Sequence, residues 1–148
     1  MSANFSAKTE TTIHASAAKV WQALTTPELI SQFMFGAHVE TDWAIGSPIT
    51  WRGSHQGKSY EDHGTVLQVL PEKLLQHTYH SSLSEIEDTP ENYFNVTYEL
   101  DEEDGKTRVT LTNSNLPDEK SREHAERNWQ KVLEKLKDIV EQQHEHVV

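Results

Sequence analysis

Histidine is the side chain that changes charge near neutral pH, so it serves as acid, base or metal ligand. This chain carries nine of them and no cysteine. In "LLQHTYHS" the alternation sets Leu75, His77 and Tyr79 on one strand face. That face is the apolar one, so His77 is expected inside, hydrogen-bonded to backbone. In "YEDHG" Glu61 and His63 share a strand face. A carboxylate and an imidazole two residues apart can form an ion pair or hold a metal. No further ligand follows at structural-site spacing, so no metal is expected. His144 and His146 fall in the polar end "QHEHVV", which is expected to be disordered. There is no glycine-rich phosphate loop and no nucleophile elbow. The acidic runs "SEIEDTPE" and "DEED" read as solvated loops. No catalytic residue and no cofactor are expected, and the remaining chemistry is that of binding.

The elements that position these groups follow from pattern. "KTETTIH" is rich in β-branched residues and predicts a strand over Lys8–His14. Ser16 is a good N-cap, and Val20, Trp21 and Leu24 form one helical stripe behind it. Thr26, Pro27 and Glu28 open a second short helix whose apolar side is Leu29, Ile30 and Phe33. Six further strands follow: "AHVETDW", "SPITWRG", "YEDHGTVLQVL", "LLQHTYHS", "YFNVTYEL" and "TRVTLTN". Their short polar links, such as "PEK" and "DEEDGK", imply an antiparallel meander.

Alternation also gives the sheet an apolar face. Ile49 and Trp51, Phe94, Val96, Tyr98 and Leu100, and Val109, Leu111 and Asn113 point the same way. Such a face needs a cover. The stretch "AERNWQKVLEKLKDIVEQ" supplies one, with Trp129, Val132, Leu133, Leu136, Ile139 and Val140 at helical spacing. This helix is predicted over Asp118–Gln142. Pro117 precedes its cap, and Asp118 and Glu119 suit its positive end.

The chain has 148 residues, a formal charge of −11 and 34% apolar residues. That length fits one domain, residues 1–148, with an ordered core over about 8–142. The acidity argues against nucleic acid and membrane partners. No signal-peptide core and no membrane-spanning run is present, so a soluble cytoplasmic protein is expected.

The stretches "IHASAAKVWQALTTPELISQF", "PEKLLQHTY", "TRVTLTNSNL" and "NWQKVLEKLKDIVE" resemble the SRPBCC, or START-like, superfamily. Within it they are most similar to the bacterial single-domain relatives of the activator of the ninety-kilodalton heat-shock protein ATPase. The resemblance implies an α+β helix-grip fold. In that fold a curved seven-stranded antiparallel sheet packs on a long C-terminal helix, with two short helices after the first strand.

The resemblance further implies a cavity between sheet and helix that holds an apolar or aromatic molecule. Trp129, Val132, Leu133 and Leu136 would form its roof. Trp51, His77, Tyr79, Tyr98, Leu111 and Asn113 would form its floor and walls, with Phe33 and Phe35 near the mouth. The alternative is that these side chains pack directly together. The chain departs from the family where glycine usually precedes the tryptophan, which is Asn128 here. It departs also at Asn113, commonly histidine, and at Tyr79, often tryptophan. Asparagine is no general base near neutral pH, although it still donates and accepts hydrogen bonds. Three functions are implied, in falling order: a small-molecule binding module, a co-chaperone-like partner of a chaperone, and a cyclase- or hydrolase-type enzyme.

Overall fold

The computed structural model describes residues 5–34, 36–80 and 93–145. Phe35, the acidic stretch 84–91 and His146 lie outside them. Strand β1 (Phe5–Ile13) leads into α1 (Ala17–Thr25) and α2 (Pro27–Phe33). Six strands follow: β2 (His38–Glu40), β3 (Pro48–His55), β4 (Lys58–Leu70), β5 (Leu74–Tyr79), β6 (Phe94–Glu103) and β7 (Lys106–Leu116). Helix α3 (Glu119–Glu145) ends the order. The strands form one antiparallel sheet in the order β1-β7-β6-β5-β4-β3-β2.

Local chemistry explains the ends of these elements. The Ser16 hydroxyl accepts the Lys19 N–H at 3.3 Å, satisfying one orphan donor of α1. Asp118 does the same for α3, taking the Ser121 N–H at 2.8 Å. Asp104 and Gly105, both with positive φ, turn β6 into β7. Gly64 serves a different need: a Cβ there would stand 1.9 Å from the Thr78 carbonyl oxygen. Its bare backbone lets β4 and β5 approach, and the Thr65 N–H reaches the Thr78 hydroxyl at 2.8 Å.

Two boundaries differ from expectation. The strand predicted through Trp43 stops at Glu40. The Thr41 hydroxyl takes the Trp43 N–H and the Asp42 carboxylate takes the Ala44 N–H. These side chains capture backbone donors that a strand would need, and Trp43 turns to a φ of 62°. At the other end α3 continues to Glu145, so His144 is helical rather than part of a disordered tail. "EQQHE" contains no glycine or proline to stop it.

Helix α3 lies over the sheet. Val132, Leu133, Leu136 and Val140 are buried against Ile13, Val109 and Leu111 of the same core cluster. Polar contacts tie its later turns to the start of the chain. The Lys137 ammonium donates to the Thr12 carbonyl at 2.7 Å, and the Glu141 carboxylate accepts the His14 N–H at 2.9 Å. No described helix is long and apolar enough to cross a membrane.

Candidate functional site

The inward residues of β3, β5 and β6 build a line of rings under α3. Trp51 lies against Tyr79, with ring centroids 5.0 Å apart, and against His77 at 5.1 Å. His77 is 6.4 Å from Tyr98, which meets Trp129 of α3 edge to face at 6.5 Å. Strand pairing sets this line, since His77 stands opposite Val96 and Tyr98 opposite Leu111. Edge-to-face rings are a favoured arrangement of π-systems.

Two spaces open along the line. The inner one is about 30 Å³ and is lined by Phe33, Trp51, His77, Tyr79, Tyr98 and Trp129 together with Leu24, Ile30, Met34, Trp43, Ile49 and Leu75. A space of this size admits about one or two waters but no ring. The outer one is a groove of about 610 Å³ between the first turns of α3 and the sheet. Tyr79, Phe94, Asn113, Leu116, Ala125 and Trp129 form its apolar side, and Lys120, Ser121, His124, Arg127 and Asn128 its rim. Trp129 and Tyr79 line both spaces.

The structure therefore divides the residues read from sequence. Phe33, Trp51, His77, Tyr79, Tyr98 and Trp129 gather around the inner space. Asn113 joins Tyr79 and Trp129 in the groove. Leu111, Val132, Leu133 and Leu136 line neither space and are packed in the core at 0–1% exposure. The helical rim was missed, because charged and polar positions on α3 read as solvated. One signal was available: Lys120, His124 and Arg127 stand at i, i+4 and i+7, one face of a helix, in a strongly acidic chain. Trp43 was missed because a strand was expected where the chain turns.

The polar groups of the site are mostly committed. The His77 Nδ1 lies 2.8 Å from the Thr78 carbonyl, which can only accept, so Nδ1 carries the proton. Burial pushes this imidazole from its usual 6.5 down to about 4, against a smaller opposing pull from that carbonyl. It is neutral at pH 7. The Tyr79 hydroxyl donates to the buried Asp62 carboxylate. Tyr98 is pushed up by burial and stays protonated. Asn113 is different. It is 5% exposed, and among the described residues its side-chain oxygen Oδ1 has no hydrogen-bond partner. On the outer sheet face Glu61 contacts His63 at 3.4 Å, but Arg52 also holds it at 2.6 Å. Among the described residues no cluster of three or more His, Asp or Glu could hold a metal ion.

Seven antiparallel strands packed on one long C-terminal helix, with two short helices after the first strand, define a helix-grip domain of the START-like class. Within that class the chain belongs to the family described as activator of Hsp90 ATPase homolog 1-like protein, whose model matches residues 14–141. The solution structure of ChR145 from Cytophaga hutchinsonii is 42% identical, with 95% of this chain and 97% of that chain covered and a TM-score of 0.82. The Aha1 dimer from Colwellia psychrerythraea is 22% identical over 93% of this chain and 96% of that one, with a TM-score of 0.73. Ara h 8.0201 is 13% identical over 93% and 97%, also at 0.73. The last two likenesses are of fold alone. No curated protein matches the sequence at a significant level.

Proposed function

We propose that this protein holds a small apolar or aromatic molecule in the groove between the sheet and the first turns of α3. The observation that carries this reading is the groove itself, about 610 Å³, walled by Phe94, Leu116, Ala125 and Trp129. Ligand sites typically span roughly 300–1,000 Å³ and are mostly apolar with a few convergent polar groups. Trp129 and Tyr79 line both this groove and the smaller inner space.

The test is to block the groove without touching the core. Ser121 is partly exposed and lines the rim. Ser121→Phe fills the opening from the helix side. Naphthol titrated into the unaltered protein is expected to change tryptophan fluorescence through Trp129, and Ser121→Phe to abolish that change at an unaltered melting temperature. Equal naphthol binding by both proteins places the ligand elsewhere and removes this reading. A second reading, a protein-interaction module acting on a chaperone, is favoured by the family description alone.

A further inference from the structure

Accepting the groove as a ligand site, we propose that its occupant is an amphipathic acid: an apolar ring system with a hydrogen-bond donor at its inner end and an anionic group at its outer end. Two independent observations point to these two ends.

The inner end is set by Asn113. Asn113 lines the groove, and among the described residues its buried Oδ1 has no hydrogen-bond partner. A buried acceptor without a donor carries its full desolvation cost, and native proteins keep such groups where something else completes them. Neighbouring side chains do not complete this one. Leu111 and Val96 are apolar, and the Tyr79 proton is already given to Asp62. A ligand hydroxyl or N–H is the missing partner. A ligand that only accepts would leave Oδ1 unpaired, so the groove discriminates by donor.

The outer end is set by charge. The protein carries −11 overall, yet the groove rim on α3 presents Lys120, His124 and Arg127. Four other basic groups are paired in place: Arg122 with Glu119 and Glu126, Arg52 with Glu40 and Glu61, Arg108 with Asp101, Lys137 with Glu141. Among the described residues Lys120 and Arg127 make no ion pair. Two helical turns separate them, about 10 Å along the axis, so they flank the opening. A carboxylate leaving the groove meets one or the other. The net charge of −11 disfavours an anion on the surface as a whole, and the basic rim offsets that at the groove.

Three matched probes separate the two ends: hydroxynaphthoate has donor and anion, naphthoate the anion only, naphthol the donor only. Calorimetric titration of the full chain is expected to rank hydroxynaphthoate first, about tenfold tighter than naphthoate. Asn113→Leu should erase that tenfold preference, bringing hydroxynaphthoate and naphthoate to equal affinity. Replacing Lys120 and Arg127 together by Gln should weaken both acids, flatten their salt dependence and spare naphthol. Equal affinity of hydroxynaphthoate and naphthoate for the unaltered protein overturns the donor requirement, and this comparison needs no variant to fold. Acids that bind no better than naphthol, at any salt, overturn the anionic end. In either case the groove reading stands if Ser121→Phe still blocks all three. Absence of binding by every probe overturns both.

Discussion

At the scale of single residues, His77 and Asn113 show what pattern can and cannot give. Alternation put both inside, and the structure has both buried. Alternation gives the face a side chain takes and says nothing about its hydrogen-bond partners. His77 meets the Thr78 carbonyl, and Asn113 Oδ1 finds no partner among the described residues. The consequence for His77 is a pH-dependent stability. It titrates near 6.5 when unfolded and near 4 when folded. Between those values the unfolded chain binds more protons, so stability rises with pH across that window. The contribution is complete above about pH 6.5 and lost as pH falls toward 4, roughly 3 kcal/mol in all. Urea unfolding at several pH values should show that slope, and His77→Gln should flatten it. An unchanged slope in the variant assigns the effect to another group. The mirror case is Asn113→Leu, which removes an orphan acceptor and is expected not to lower the melting temperature.

At the scale of elements, α3 was the most legible part of the chain. Its apolar positions recur at helical spacing over several turns, and a capping aspartate follows a proline. What could not be read was where its cover becomes incomplete. The later turns, with Leu133 and Leu136 fully buried, pack without a gap, while the first turns stand over the groove. That difference depends on how far the helix lies from the sheet at each turn, which no periodicity records. Leu133→Ala is therefore expected to behave as a core truncation, costing about 2–5 kcal/mol by denaturant unfolding. Ala125, which borders the groove, should tolerate Gly with only the propensity loss of about 1 kcal/mol. If Leu133→Ala leaves the unfolding midpoint unmoved, the later turns do not pack as described. Strand β2 is the opposite lesson. "HVETDW" alternates well enough for a strand, but Thr41 and Asp42 redirect the backbone and swing Trp43 toward the inner space.

At the scale of the molecule, the order of strand, two helices, six strands and helix was readable from turn chemistry and alternation, and the family match over 14–141 agrees with it. The sheet has one apolar face, and α3 covers it together with α1 and α2. A chain stopped after Leu116 should thus lose cooperative unfolding and bind a hydrophobic dye. A sharp thermal transition in that fragment would mean that the sheet stands without its cover. The sheet order has a further result. β1 is hydrogen-bonded to β7, with Ile13 opposite Thr107 and Phe5 opposite Leu116, and its end is tied to α3 through Thr12 and His14. β1 leaves the ribosome before β7 and α3 and must therefore wait, unpaired, for them to be made. Long-range pairings of this kind fold slowly, and a waiting strand edge is exposed to the wrong neighbours. Its sequence suits the wait: "FSAKTETTI" alternates small, polar and charged residues, which gives other nascent chains little to adhere to.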